Sequence, residues 1–545
     1  MMTRRSRPTG RPGYVLIAVL IAVVVLSLAA YRYTDAMTGE YTVAVRTTEA
    51  AQVKAFAASG VHYGMGLLAD PAGAPASADD QATFSGVAVG PAAGTPGGGK
   101  GGGRFSLIYP GDSGSGAGSS RYTPKYGVMD EGAKLNLNAL AQDAKQTRLH
   151  DALMKLPNMT EEIADAIGDY IDTDDTPRAA GAESSFYLGL TPPRAAKNGP
   201  LNSLDELLYV RGVTAQLLYG PDRNRNGRLD PDEDATADFS PGWSNFLTVH
   251  GREVNVDAAG VPRIYLNDPA GTAAQLLEKL VPVLGQEAAD YVVAARLWGT
   301  SAASNTAQTS VTETKVTAST TAKGGVKLGV KATTSTSAGG SSVGTAADLR
   351  AAVQAAVDAP LTRLKAKVKT VMGLADTKVT LPVPKGAPPN TAAKTVAGPL
   401  NDATKRKDLL PKLLDTVTTT EDFEMLPRLN VTTAPREVLL GLPGLTEAEV
   451  DAIISARGSL AAGDPATTTG AWLVTAANLT PAKFAEIETM VTGKSMVYRI
   501  HSVGYFARGK ALARAEAVID TNMGHPRILY YRDVSDLGPG FDLQR

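Results

Sequence analysis

An uninterrupted apolar run, Val15 to Ala30, follows thirteen basic, acid-free residues carrying Arg4, Arg5, Arg7 and Arg11. With Tyr14 and Tyr31 at its ends the run reaches the roughly 17–25 residues that cross a bilayer as a helix. The basic flank keeps the N-terminus cytoplasmic, and the tyrosines suit the two interfaces. No proline interrupts the chain from Tyr31 to about Leu68, while apolar and small positions continue through Val53, Phe56, Met65 and Leu68. The pattern predicts one long helix, half in lipid and half amphipathic.

Three fates compete for this segment. A secretory signal would be cut near Ser27-Leu28-Ala29, a plain signal anchor would stay whole, and a prepilin-like leader would be cut after Gly13. The Gly13-Tyr14 junction precedes the apolar run, which favours the third.

Beyond the helix, residues 70–120 are rich in Gly, Ala, Pro and Ser around a strand-like Arg104 to Tyr109, and Lys125 to Asn138 reads as a second strand. A diverged repeat follows. Lys134-Leu-Asn-Leu-Asn138, Arg263-Ile-Tyr-Leu-Asn267 and Arg428-Leu-Asn-Val-Thr432 each open a unit of helix, tight Pro/Gly turn and second helix. Thr160 and Thr446 fit N-caps with acids in the turn behind them. The pattern is helix-hairpin-helix in three copies. Between copies two and three, 33 of the 46 residues Thr300 to Thr345 are Ser, Thr, Ala or Gly, so no apolar face forms and disorder is expected. Ala346 to about Met372 reads as helix and Thr377 to Ala397 as a Pro/Lys-rich loop. Met496 to Tyr505, Leu512 to Asp520 and Arg527 to Val534 alternate as strands of an antiparallel meander with one wet face.

Composition narrows the chemistry. The 545 residues allow several domains, and 54 Lys+Arg against 55 Asp+Glu argue against binding nucleic acid by whole-chain charge. There is no cysteine, which excludes disulfides and thiolate chemistry, and five scattered histidines offer no clustered site. Gly94 to Lys100 mimics a phosphate loop, but Gly101 stands where Ser or Thr must bind magnesium. Ser113, in Gly111-Asp-Ser-Gly114, has no histidine or aspartate placed to support it as a nucleophile. The hairpin turns carry Glu161, Glu162, Glu447 and Glu449, which repel phosphate. No enzyme is expected, and no nucleic acid.

The sharpest motif is Asp222 to Glu233, DRNRNGRLDPDE, which meets every specified position of a twelve-residue calcium loop. Asp222, Asn224 and Asn226 supply side-chain oxygens, Arg228 its carbonyl, Asp230 acts through water, and Glu233 closes the site with two oxygens. Gly220-Pro221 blocks an entering helix, so a structural calcium (Ca2+) staple is expected rather than a sensor. A second acidic group, Asp172 and Asp174 with Glu183, could hold another hard cation; a solvated loop is the competing reading.

These residues resemble the K-type minor pseudopilin of the type II secretion system (general secretion pathway protein K, the GspK family), over most of the chain outside the Gly-rich loops and 300–425. The carriers are the leader ending at Gly13, Asp172 to Glu183 with Tyr187, Lys197-Asn-Gly-Pro-Leu201, Arg428 to Pro435 and Arg527 to Arg532. The fifth position counted from Tyr14 is Ala18, where most pseudopilins carry a glutamate and the K-type does not. The resemblance implies an α+β pseudopilin fold: a long N-terminal helix on an antiparallel sheet, with a large inserted α-helical domain of helix-hairpin-helix (SAM-like) units.

The expected organisation is leader 1–13, transmembrane and amphipathic helix 14–69, first part of the sheet 70–138, and inserted helical domain 139–299 with the calcium loop and two repeat copies. A disordered insertion 300–345, helix and linker 346–425, third copy 426–494 and C-terminal strands 495–545 complete it. The resemblance further implies a single-pass inner-membrane protein with its bulk in the periplasm, seated at the pseudopilus tip. Its partners would be I- and J-type minor pseudopilins, the major pseudopilin, the prepilin peptidase, the inner-membrane secretion platform and membrane lipid. A membrane-anchored helix-hairpin-helix DNA receptor is the alternative, and an exported calcium-dependent hydrolase a more distant one.

Overall fold

The computed structural model describes residues 12–69, 80–90, 102–110, 124–142, 147–226, 230, 233, 241–303, 342–358, 367–389, 391–461, 466–508, 511–538 and 540. Helix α1 (Pro12–Ala69) is continuous for 58 residues. Among the described residues it is the one helix long and apolar enough to cross a membrane. Residues 13–52 are exposed, including the apolar run. Only the last turns pack, through Val53, Ala57, Val61 and Leu68, which recur on one face.

That face lies on a seven-stranded antiparallel sheet. Its strands are β1 (Val87–Val89), β2 (Gly103–Pro110), β3 (Pro124–Tyr126), β4 (Met129–Asp130), β5 (Val497–Phe506), β6 (Leu512–Asp520) and β7 (Arg527–Asp533). The order is β1-β2-β5-β6-β7, with β3 on β2 and β4 on β5. The core between helix and sheet holds Phe105, Leu107, Ile500, Val503, Tyr505, Ala515 and Ile519. Small residues set its depth. A Cβ on Gly504 would overlap the backbone of α1 at Val53 and Ala57, and one on Gly60 would meet Ser502.

Everything between Asp130 of β4 and Val497 of β5 is inserted into the sheet, and it builds a separate, larger core from Leu135 to Val491. The three repeat openings share one device, a two-residue parallel ladder with a segment further along the chain. Leu135–Asn136 pairs with Leu247–Thr248, Ile264–Tyr265 with Val417–Thr418, and Leu429–Asn430 with Val491–Thr492. In each copy the asparagine turns its amide oxygen to a backbone N–H: Asn136 to Ala139, Asn267 to Val368 and Asn430 to Thr432. Thr160 and Thr446 cap the second helices of copies one and three, Thr446 in a reciprocal capping box with Glu449.

Several expectations change. Lys125 to Asn138 is not one strand: Gly127 at φ 157° and the Asp130 side chain, which accepts from Gly132 N, break it into β3, β4 and a 3₁₀ turn at Glu131–Ala133. Thr377 to Ala397 is not all loop: Thr377–Thr380 and Lys394–Ala397 are adjacent strands of a four-stranded sheet. The outer members of that sheet, Ser301–Ala302 and Ser342–Val343, belong to the segment expected to be disordered, whose centre lies outside the described residues. A 14-residue helix, Ala403–Thr416, also occupies the expected linker.

The meander has no wet face along β6, which is buried at nearly every position. Its polar side packs against the insertion through a buried charge network. Glu131 accepts from Lys134 Nζ at 2.9 Å and Arg499 Nε at 2.7 Å, and also from Thr248. Arg499 bridges on to Glu516, which Arg225 meets at 2.9 Å. Burial works to raise the Glu131 pKa, and the charges of Arg499 and Lys134 outweigh it and hold the carboxyl well below its ordinary range. For Glu516 burial is likewise overcome, by His501, Arg499 and Arg225, and the pKa falls to about 2.

Candidate metal centre

The helix Glu161–Ile171 buries its inner face and ends at Asp172, whose N–H still reaches Gly168 O. The chain then loops back over the helix end. Asp169, fully buried, takes the Arg178 guanidinium at 2.6 Å, and the same guanidinium reaches Asp172 Oδ2 at 2.9 Å. Gly181 lies so close to the Asp169 carboxylate that any Cβ would overlap it, so glycine is what lets the loop close. The closure brings Glu183 to Asp172 and Asp174, with one oxygen of each within 4.8 Å of the others.

Three of the cluster's oxygens lack donors, while Asp174 Oδ1 accepts from Thr176 N at 2.8 Å. Glu183 is 2% exposed, and both its carboxylate oxygens and Asp172 Oδ1 are buried without a hydrogen-bond partner. Asn198 Oδ1 is likewise unpartnered, while its Nδ2 donates to Asp174 O and Asp175 Oδ1 at 3.1 and 2.9 Å. Asn198 holds a left-handed backbone at φ 46°, which asparagine tolerates better than most residues. Burial, reinforced by the charges of Asp169 and Asp172, pushes the Glu183 pKa up to about 7. Burial raises Asp172 also, against the pull of Arg178. Two carboxyls with raised pKa values and unpartnered oxygens, Asp172 and Glu183, beside the exposed Asp174, are what a hard cation with oxygen coordination would relieve. Asn198, Asp169 and Arg178 escaped the sequence reading; the Lys197-Asn-Gly-Pro stretch is the one trace of them.

The loop from Asp222 lies at the seam between insertion and sheet. Arg228 and the other residues of 227–229 and 231–232 lie outside the described residues. The remainder converges. Asp222 Oδ1 and Asn224 Oδ1 both accept from Asn226 N, at 3.0 and 2.9 Å. Asp230 Oδ2 accepts from Nδ2 of Asn224 and Asn226, at 2.8 and 2.6 Å. Glu233, 3% exposed, reaches back so that its two oxygens accept from Asn224 N and Asp230 N, at 3.2 and 3.1 Å. Five of the six motif positions thus face one another, and their carboxylates here accept from amides. Arg225, at φ 60°, leaves the loop to meet Glu516, and its carbonyl accepts from Arg514 Nη1 at 3.0 Å.

The first of these groups sits in a recognisable module. Residues 133–219 match the family model described as Type II secretion system (T2SS), protein K. The match covers 87 of the chain's 545 residues. The chain is 36% identical over 107 residues to an Escherichia coli (strain K12) protein named for type II secretion system protein K. That alignment covers 17% of this chain and 33% of the relative. It is 32% identical over 132 residues to the type II secretion system protein K of Aeromonas hydrophila, over 21% of this chain and 38% of that one. The matches therefore span little more than a third of these relatives' lengths.

A chain in the GspK-GspI-GspJ complex of the enterotoxigenic E. coli type 2 secretion system aligns over 90% of this chain and 98% of its own. That alignment has 12% identity and a TM-score of 0.35. The DNA-receptor alternative finds no support among these comparisons. Of the processing and assembly positions, residues 1–11 lie outside the described residues. Gly13, Tyr14 and Ala18 lie exposed in the first turns of α1, Tyr14 at 80%.

Proposed function

We propose that this chain is a non-enzymatic minor pseudopilin that sits at the tip of a type II secretion pseudopilus and starts filament assembly for secretion across the outer membrane. One observation carries the reading: the protein K domain lies inside an insertion that splits an antiparallel sheet packed on a long, membrane-length N-terminal helix. In this reading the fold is a pseudopilin fold and the insertion a set of helix-hairpin-helix units. The leader is cut after Gly13, the new N-terminus at Tyr14 is methylated, and α1 anchors the chain once in the inner membrane with its bulk in the periplasm. Ala18 withholds the carboxylate by which other subunits would pair with a neighbour's terminal amine, which suits a terminal place in the filament.

The partners would be the I- and J-type minor pseudopilins, bound along the exposed part of α1. Calcium would be structural at two places. Asp172, Asp174 and Glu183, with Asn198, would hold one ion inside the protein K domain. Asp222, Asn224, Asn226, Asp230, Glu233 and the Arg228 carbonyl would hold another against the sheet. At the first place bound calcium would neutralise Glu183 and Asp172, whose charged forms burial disfavours. Co-expression with I- and J-type pseudopilins from the same organism tests the assembly: a stable three-protein complex on size exclusion is expected, and a chain that elutes alone at micromolar concentration would overturn it.

A further inference from the structure

We propose that the surface made by Phe186, Leu188, Leu208 and Tyr209 with Arg194 and Arg211 is a docking site for an acidic, apolar peptide segment of a partner protein. Leu188 is 58% exposed, Tyr209 53%, Phe186 39% and Leu208 38%. Phe186 and Leu188 lie on the helix Ser184–Leu188, Leu208 and Tyr209 on the 3₁₀ turn Leu204–Tyr209, and Phe186 and Tyr209 each meet one of the two arginines. The Arg194 guanidinium stands between two rings, 5.6 Å from Tyr187 and 5.3 Å from Tyr209, and donates to Tyr209 O at 2.7 Å. The Arg211 guanidinium lies 5.4 Å from the Phe186 ring and donates to Ala180 O. Phe186 and Tyr187 meet edge-on at 5.2 Å.

Charge complementarity names the occupant. Both arginines bond to backbone carbonyls, and among the described residues neither forms an ion pair with a carboxylate. Glu206, on the same stretch as Tyr209, is taken by Lys197 and by the N–H groups of Asn202 and Ser203. Two guanidiniums without a carboxylate partner in an exposed apolar patch fit carboxylates, alternating with side chains that cover the leucines and rings.

The patch is also built in advance. Tyr187 is fully buried, and its hydroxyl accepts from Arg211 N at 3.2 Å. Rigid aromatic and arginine anchors are the groups that dominate protein interfaces. A nucleic acid would want planar rings where Leu188 and Leu208 stand. The proposal does not depend on the calcium reading or on the pseudopilin assignment.

The test uses the full-length protein in detergent and fluorescence anisotropy with two labelled synthetic peptides. One alternates Asp or Glu with Leu and Phe; the other has Lys at every acidic position. Saturable binding of the acidic peptide alone is expected, weakening as salt rises. R194A/R211A should weaken it about tenfold or more, with the circular dichroism of the folded protein retained. L188D, at an exposed position outside the core, should do the same by repulsion and covers the case in which the arginine variant fails to fold. Equal binding of the lysine peptide, no saturable binding, or binding that survives L188D would overturn the proposal. So would displacement of the acidic peptide by oligothymidylate or by anionic phospholipid vesicles.

Discussion

Replacing Glu183 by glutamine removes one charge from the Asp172–Asp174–Glu183 cluster and leaves the side chain's shape. In the metal-free protein Glu183 titrates near 7 instead of the ordinary 4.5. The native state therefore holds a proton that the unfolded chain has already released. Stability is full below about pH 4.5, falls as pH rises toward 7, and then stays low. The gap between the two pKa values corresponds to roughly 3 kcal/mol across that window. Glu183→Gln has no such proton to lose. Urea unfolding of chelator-treated protein at pH 4.5 and pH 7.5 should show wild type losing about 3 kcal/mol more than the variant over this interval. At pH 7.5 the metal-free variant should be the more stable of the two. Added calcium should reverse that order, because a bound cation stabilises the wild-type site by mass action and meets one carboxylate fewer in the variant. Parallel pH profiles for the two proteins would refute the argument, since they would mean that Glu183 is not held in an environment hostile to its charge.

Three further substitutions test separate parts of the account. Arg499→Ala would leave Glu131 and Glu516 buried without their shared cation and should cost about 3–5 kcal/mol by urea unfolding; a loss below 1 kcal/mol would mean the network does not join insertion to sheet. Gly504→Val drives a side chain into the backbone of α1, so helix docking should weaken by about 1–3 kcal/mol or more, read as faster amide exchange from Ala57 to Val61 in micelles; unchanged protection there would count against the close packing. Glu233→Gln should lower the calcium stoichiometry measured by calorimetry by one while leaving the Glu183 site filled, and an unchanged stoichiometry would remove the second ion.

Legibility in the sequence followed the range of the interactions. Helix α1 could be read because an unbroken apolar run and the absence of proline are local facts. So could Thr160 and Thr446, since a cap needs only its own next turn. The three repeat openings were visible as Lys/Arg-apolar-Asn elements, but the parallel ladders that unite them join residues up to about 150 positions apart, as in Ile264 with Val417. Thr377–Thr380 and Lys394–Ala397 were hidden by the four prolines between them, although TKVT and KTVA pair once the turn is made. Glu516 alternates as a solvent-facing residue should, and only the insertion, arriving from elsewhere in the chain, buries it. The Asp172 cluster was half legible: the acids are in plain sight, but their convergence depends on Arg178 and Gly181 closing the loop, and Asn198 carries no spacing signal at all.

The mass of the N-terminal peptide of the protein extracted from membranes tests the pseudopilin assignment most directly. The account predicts a peptide that begins at Tyr14, with the apolar run retained and the terminal amine methylated. A peptide that begins at Met1 or Met2, or one that begins near Ala30 after loss of the apolar run, would contradict it.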